Sequence, residues 1–279
     1  MKSSTRNILI FSLLSIFGGW LGIWLNRLTG DSAPPLQSLG ALVWLVTPAV
    51  SGLALRAFGG DGWKDAGFGL KLVSGWKWYL AALVVYPLLT LVGLGLSLAA
   101  QTINADGFAV LGLQAYIAAV GALLTGSLVK NIFEELAWRG YLAPRLEAAR
   151  VHPLLGHAIT AVVWWAWHLP YYYYFLNRAD LQAATPYGVP VFLLLGLLVL
   201  YPTAIFFGEL RLASGSVWTA VLLHEVVNAI SMPLVLKAFI TSQHLGSLFL
   251  SPTNDSVFMS LLMGALGYWM YRARMSRDR

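Results

Sequence analysis

Long apolar stretches recur along the 279-residue chain. A membrane helix needs about 20 mostly apolar residues, and the stretches that come close to this length are approximately residues 8–24, 39–58, 78–100, 113–136, 158–175, 190–208, 217–240 and 257–271. Only 11% of the residues are charged, whereas a soluble domain carries about 25%. The sequence therefore predicts an all-α, polytopic integral membrane protein of about eight transmembrane helices, with residues 1–279 forming a single transmembrane domain.

The basic residues predict the orientation of these helices. Eight spans place both termini on one side, and that side then holds 14 of the 18 Lys and Arg residues. Loops rich in Lys and Arg stay in the cytoplasm, so both termini are expected there, in the plasma membrane if the protein is bacterial. Because the +6 charge is spread over these loops, no nucleic-acid partner is expected. The first apolar run is longer than a signal-peptide core and is expected to be retained.

The most unusual segment is FEELAWRG, residues 133–140, in which two carboxylates and an arginine interrupt an apolar run. An ionisable group within a span is costly and by default indicates function. Glu135 and Arg139 are four residues apart, so they share a helix face and are expected to pair. Glu134 lies about 100° around the helix axis from Glu135 and needs a different partner. Lys130, one turn earlier, is a candidate for that partner.

Two other apolar runs carry polar residues at membrane depth. His168 lies in WWAWHLP, and His224 and Asn228 lie four residues apart in HEVVN, on one face of their helix. At a rise of about 1.5 Å per residue, Glu134, His168 and His224 each lie about 14–20 Å from the cytoplasmic end of their helix. The sequence therefore predicts one polar layer across three helices, in the cytoplasmic half of the bundle.

The residue types in this layer are those that amide hydrolysis needs. A buried carboxylate beside an imidazole can hold a water molecule and accept its proton. A histidine and an asparagine can donate hydrogen bonds to the oxygen that becomes negative. The chain contains no cysteine, and its serines stand in no recognisable nucleophile arrangement. The pattern favours hydrolysis by an activated water.

Three motifs together resemble the signature of the CPBP family of intramembrane proteases, which includes the type II CAAX prenyl endopeptidases: Glu134-Glu135-x-x-x-Arg139, Trp164-x-x-x-His168 and His224-x-x-x-Asn228. The stretch from residue 211 to 228, RLASGSVWTAVLLHEVVN, is also similar to that family. The resemblance covers about residues 131–228, and a family-like catalytic core is expected at about residues 113–240.

The resemblance implies a catalytic role for four residues. Glu134 would be the general base, and His168 would help to hold the water. His224 and Asn228 would form the oxyanion site. The implied reaction is hydrolysis of a peptide bond in a membrane-associated protein or peptide, without a cofactor and at a site within the lipid bilayer.

The resemblance also implies supporting roles. Glu135 and Arg139 would support the helix that carries Glu134. Trp164 stands where the family commonly has Phe, so an altered pocket wall is expected with the chemistry retained.

Two other functions remain open. Glu134, His168 and His224 could bind zinc in a membrane protease, because one carboxylate and two imidazoles suit zinc with an open position. Alternatively, the chain could be a membrane immunity or partner-binding protein that keeps the fold without turnover. A transporter is disfavoured, because the polar residues cluster in one layer instead of tracing a route across the membrane.

Overall fold

The computed structural model describes residues 3–184, 188–242 and 245–277, and about 81% of the chain is helical. The helices of the described ranges are α1 (Ser3–Thr29), α2 (Leu39–Phe58), α3 (Leu72–Ala99), α4 (Asp106–Leu111), α5 (Leu113–Gly126), α6 (Leu128–Ala137), α7 (Ala143–Ala148), α8 (Pro153–Pro170), α9 (Arg178–Ala184), α10 (Val189–Ser214), α11 (Val217–Leu236), α12 (Gly246–Phe249) and α13 (Val257–Arg277). A 3-10 turn covers Pro35–Gln37, and π-helical turns cover Trp138–Leu142 and Tyr171–Phe175. Two short strands, β1 (Ile103–Asn104) and β2 (Thr241–Ser242), pair antiparallel. The all-α prediction is confirmed.

Five helices of the described residues are long and apolar enough to cross a membrane, namely α1, α2, α3, α10 and α11. The bent pair of residues 113–126 and 128–148 makes a sixth if it counts as one span. The predicted fifth and eighth spans do form helices, α8 and α13, but neither is as apolar. The reason is that α8 contains two histidines and three tryptophans, while α13 ends in arginines. The predicted number of eight is therefore not confirmed.

The orientation of the bundle stays a prediction. Both chain ends, residues 1–2 and 278–279, lie outside the described ranges. The proposed cytoplasmic position of the termini therefore rests on the distribution of basic residues alone.

The fourth apolar run is not the continuous helix that its composition predicts. It breaks after Gly126, and the two parts are bent by 52°. The Ser127 hydroxyl at the break lies 2.8 Å from both the Leu123 carbonyl oxygen and Glu225 Oε1, so the break is tied to α11. The π-helical turn Trp138–Leu142 then interrupts the helix a second time. Such turns are frequent at functional sites, and this one follows directly on the two carboxylates.

Helix α11 is the most enclosed of the candidate spans. Its most apolar window is 72% buried, against 28% for both α3 and α10. It packs against α3, α5, α6 and α10. Helix α3 instead keeps many leucines exposed, as a lipid-facing helix does. The helix that carries His224 and Asn228 therefore lies in the interior of the bundle.

A cluster of aromatic side chains fixes α2 against α8. The rings of Trp44 and Trp167 stack with their centroids 4.3 Å apart. Each indole N–H also donates to the backbone carbonyl of the other residue, at 2.9 and 3.0 Å. Trp138 packs edge-on against Trp167, which extends the cluster to the π-helical turn after α6. The aromatic cluster thus holds α8 at a defined position beside α6.

The loop between α2 and α3 is fastened to the helix ends by four charged residues, called the loop ion cluster below: Arg56, Asp61, Asp65 and Arg145. Asp65 pairs with Arg56 at 2.6 Å and with Arg145 at 3.1 Å. Asp61 pairs with Arg145 at 2.9 Å and accepts a hydrogen bond from Tyr141. These pairs join the loop to α2 and α7, on the same side of the bundle as the start of α11.

Candidate active site

The four residues that were predicted to be catalytic lie on three helices, Glu134 on α6, His168 on α8, and His224 and Asn228 on α11. All of them are buried except His168, which is half-buried. Trp164 links three of them. Its Nε1–H donates to Glu134 Oε2 at 2.7 Å, and its ring centroid lies 6.0 Å from that of His168 and 5.7 Å from that of His224. One indole therefore contacts the carboxylate and both imidazoles.

The hydrogen bond from Trp164 was not foreseen from the sequence. The prediction gave Trp164 the role of an altered pocket wall, because Phe is common at that position in the family it resembles. A phenyl ring has no N–H group, so the indole adds a donor to the carboxylate that the usual residue cannot supply. In this chain the aromatic residue therefore both lines the site and orients Glu134.

Glu134 is enclosed and has a charged partner on its own helix. The ammonium of Lys130 forms an ion pair with Oε1, while Oε2 accepts from Trp164. The Lys130 side chain is 32% exposed and the Glu134 side chain 1% exposed. Glu134 also interacts electrostatically with His168 and His224. The buried carboxylate is thus compensated by a cation that itself reaches the edge of the protein.

The tautomer of His168 follows from its backbone contact. Its Nδ1 lies 2.9 Å from the Trp164 carbonyl oxygen. A carbonyl oxygen can only accept, so Nδ1 carries the hydrogen, and the Nε2 of the neutral ring presents a lone pair. No hydrogen bond joins this Nε2 to another residue in the described ranges. The ring, stacked on Tyr172 with the centroids 5.6 Å apart, can accept a hydrogen bond from a water molecule.

Glu135 connects α6 to His224. The expected pair with Arg139 is present, with Nη1 3.0 Å from Oε1, and both side chains are buried. The same Oε1 also lies 2.8 Å from His224 Nδ1. The Arg139 guanidinium is stacked between the rings of Trp164 and Phe207, 4.5 and 4.8 Å from their centroids. Glu135 therefore orients an imidazole of the layer, a contact that the sequence analysis did not identify.

Asn228 belongs to a second hydrogen-bonded set that the sequence analysis also missed. Its Nδ2 donates to Asn131 Oδ1 at 3.0 Å, and Asn131 Nδ2 donates to Glu225 Oε2 at 2.6 Å. Glu225 also accepts from Ser127. Asn131 lies three residues before Glu134, a spacing that places both on one helix face. That spacing is the signal that could have identified Asn131 from the sequence.

The described residues contain no group of three or more His, Asp or Glu side chains arranged to hold a metal ion. The Nδ1 atoms of His168 and His224 are engaged by the Trp164 carbonyl and by Glu135, which leaves the Nε2 atom of each ring without a partner among the described residues. Zinc binding by Glu134, His168 and His224 therefore stays a prediction.

One known protein family matches the part of the chain that contains the polar layer. The model of the Rce1-like family, type II CAAX prenyl endopeptidase Rce1-like, matches residues 115–230. The match covers less than half of the chain, but it contains all the residues of the polar layer. This part of the chain is similar to the CAAX protease family.

The match and the apolar helices support an integral membrane protein that is, in general terms, a CAAX-protease-like intramembrane endopeptidase. The family implies a membrane-associated protein as its substrate. The matched range lies within the core that was predicted at about residues 113–240. Among the curated proteins, none matches the chain.

Proposed function

We propose that this protein is a CAAX-protease-like endopeptidase that cleaves peptide bonds of membrane-associated proteins by a water molecule that Glu134 and His168 activate. The observation that carries the proposal is the contact set around Trp164. This indole bonds to a buried carboxylate, and it lies beside an imidazole whose lone pair is unoccupied within the described residues. A base and a second acceptor on different helices are the two parts that orient an attacking water.

Water activation needs both acceptors. One water hydrogen is directed to His168 Nε2 and the other to Glu134, which leaves an oxygen lone pair for the substrate carbonyl carbon. Glu134 must release one of its present partners to do this. Lys130 is the partner that can leave, because its side chain is one-third exposed while Trp164 is fixed in the core. Glu134 then takes the water proton as the C–O bond forms.

His224 and Asn228 supply donors for the oxyanion. Because His224 Nδ1 donates to Glu135, its Nε2 can also donate only when the ring is an imidazolium, and the Glu135 carboxylate stabilises that form. Asn228 uses one hydrogen of its amide group for Asn131 and retains a second. When the C–N bond breaks, the proton held by Glu134 passes to the leaving nitrogen, which restores the carboxylate.

A comparison of membrane proteomes tests this proposal. Cells that express the intact protein are expected to contain new C-termini that are absent with Glu134→Gln or His168→Ala. Asp106→Asn, which neutralises an exposed carboxylate on α4, is the matched control and is expected to yield the same C-termini as the intact protein. If both site variants generate the full set of cleavage products, the proposal is wrong.

One observation favours a second candidate, a non-catalytic immunity or partner-binding protein. Both carboxylate oxygens of Glu134 have partners, as in a purely structural ion pair. Complementation with Glu134→Gln separates the two functions. A phenotype that survives this substitution indicates binding, and one that is lost together with the cleavage products indicates hydrolysis.

The zinc-dependent version of the protease is tested by metal analysis. Purified protein that cleaves its substrate without bound metal, and continues to do so after chelation, removes zinc from the mechanism. A stoichiometric metal ion whose removal abolishes cleavage would replace the activated-water mechanism by a zinc mechanism.

The orientation of the site in the membrane is also a proposal. We place the polar layer toward the cytoplasmic half, in a plasma membrane with both termini inside. Because the chain has no cysteine, single cysteines can report the side of each loop. Lys64→Cys is expected to react only with reagents that enter the cytoplasm, and Lys237→Cys with impermeant reagents outside. The reverse pattern would invert the proposed topology.

A further inference from the structure

A basic pocket lies beside the polar layer, at the end of the bundle where α10 and α13 finish and α8 begins. Its charged and titratable lining residues are Arg139, Glu147, His157, Arg211 and Arg274. Three guanidinium groups therefore face one pocket, against a single carboxylate in its lining.

Two of these guanidinium groups have donors that the described residues do not satisfy. Arg139 Nη2 and Arg211 Nε are both buried, and neither has a hydrogen-bond partner there. Arg139 pairs with Glu135 through Nη1 only, and Arg211 Nη2 donates to the backbone carbonyl of Asp65. A buried donor without an acceptor is destabilising. Two such donors in the wall of one pocket indicate that an acceptor belongs in it.

The acids around the pocket are not free to serve as that acceptor. Glu209 lies behind the lining and accepts from Arg274 at 2.9 and 2.8 Å and from His157 at 3.0 Å. Glu147 is half exposed at the rim, 3.5 Å from Arg274. Neither makes a hydrogen bond to Arg139 or Arg211 in the described ranges. The described acids therefore leave both donors without an acceptor.

The outer surface of α13 indicates the level of this pocket in the membrane. Trp269 and Tyr268, one to two turns before Arg274, have 65% and 45% of their surface exposed. Exposed Trp and Tyr near the end of a membrane helix lie at the level of the lipid headgroups. Basic pockets between helices at that level bind lipid phosphates. The position of the pocket thus suits a phosphate group that arrives from the bilayer.

We propose that this pocket binds a phosphate oxyanion, held by the forks of Arg139 and Arg211 with Arg274 at its entrance. Planar guanidinium groups recognise phosphate through paired hydrogen bonds. The group could come from an anionic phospholipid headgroup or from free inorganic phosphate. Phosphate binding in this pocket does not require the hydrolysis proposed above, and it can be measured without turnover.

The thermal unfolding of the full-length protein in detergent micelles tests the proposal and separates the two sources. Inorganic phosphate is titrated against chloride at equal ionic strength, and phosphatidylglycerol is compared with phosphatidylcholine. Phosphatidylglycerol is expected to raise Tm by about 2–4 °C or more. A similar rise with inorganic phosphate would identify the free ion as a sufficient ligand. Equal Tm values in all four conditions would overturn the proposal.

Variants locate the effect. Arg211→Gln is expected to lose the Tm shift, whereas Lys237→Gln, which removes an exposed charge at the other end of α11, is expected to keep it. Arg211→Lys retains the charge without the fork and covers the case in which Arg211→Gln fails to fold. Native mass spectrometry is expected to show fewer retained phosphatidylglycerol molecules on Arg211→Lys than on Lys237→Gln. Equal retention on both variants would contradict the assignment.

Discussion

The loop ion cluster and the polar layer are both built from ion pairs, but they differ in which hydrogen-bonding groups remain without a partner. In the loop ion cluster, Asp61 and Asp65 each meet guanidinium groups and close a loop onto helix ends. In the polar layer, Glu134 and Glu135 also have cationic partners. In addition, Glu134 accepts a hydrogen bond from Trp164, whose ring contacts both imidazoles, and Glu135 contacts the imidazole of His224 directly. The Nε2 atoms of His168 and His224 have no hydrogen-bond partner in the part of the chain that the structure describes.

The comparison teaches that a buried charge does not by itself mark an active site. An ion pair can be purely structural, since removal of one partner of a buried pair is strongly destabilising. What distinguishes the polar layer is a carboxylate next to ring nitrogens that retain hydrogen-bonding capacity. The two clusters should therefore respond differently to substitution, in activity at one and in stability at the other.

The largest combined effect on cleavage activity and on stability is expected for Glu135→Gln. It leaves the buried Arg139 without a carboxylate and His224 without a charged acceptor. Loss of one partner of a buried pair costs about 3–5 kcal/mol, so we expect both a lower Tm and slower cleavage. Glu134→Gln is the matched substitution and is expected to slow cleavage by about 10²–10⁴-fold at a smaller cost in Tm. If Glu135→Gln has the same Tm and cleavage rate as the wild type, Glu135 contributes to neither stability nor activity, and the prediction is wrong.

Asn228→Ala tests the donor side of the layer. Loss of one oxyanion donor reduces kcat by about 10²–10³-fold, and KM is expected to change little because the contact strengthens only in the transition state. Gln37→Ala, at an exposed amide side chain, serves as the control. Steady-state kinetics on an identified substrate provide the measurement. A change in KM with an unaltered kcat would assign Asn228 to substrate binding instead.

Trp164→Phe separates the ring of this residue from its N–H group. The ring contacts with both imidazoles can remain, while the hydrogen bond to Glu134 is lost. A hydrogen bond to a charged group contributes about 1.5–3 kcal/mol, so a lower Tm is expected. Cleavage should stay within about tenfold of the wild type. Trp164→Leu, which removes the ring, should be slower than Trp164→Phe. Equal rates for the two would show that the ring does not organise the layer.

The smallest effect on activity is expected for Asp65→Asn in the loop ion cluster, where the effect is on stability. Burial acts to raise the pKa of Asp65, but Arg56 and Arg145 outweigh it and hold the pKa below its ordinary value of 3.8. A carboxyl with a lowered pKa stabilises the folded state above pH 3.8, and this stabilisation is lost as the pH falls through the folded-state pKa.

Asp65→Asn should therefore destabilise the protein at pH 7, by about 1–2 kcal/mol. The difference from the wild type should shrink as the pH falls below about 4. Unfolding in detergent followed at several pH values provides the measurement. The proposed difference between the two clusters would be wrong if the Tm difference between Asp65→Asn and the wild type were constant over this pH range. A large fall in kcat at pH 7 would also contradict it.

Much of the fold follows from local properties of the sequence. The bounds of α2 agree with the predicted run at residues 39–58, because an apolar stretch between loop-forming residues carries its own limits. The helix that carries Glu135 was harder to predict. Its break falls at the Gly126–Ser127 pair, a common place for a kink, but the contact of Ser127 with Glu225, about a hundred residues away, is not visible in the sequence. The predicted number of eight spans is not confirmed, since apolarity alone does not decide whether a helix such as α8 crosses the membrane.

The sequence by itself determined the helical membrane character and the residue types of the polar layer, together with the family resemblance. Hydropathy and the rise per residue are properties of each segment alone, so they can be read without the neighbours. Only the tertiary structure decided which side chains meet, as with Trp164 and Glu134 or His224 and Glu135. Those contacts depend on how each helix is rotated about its axis and packed against the others. A one-dimensional pattern does not specify that rotation.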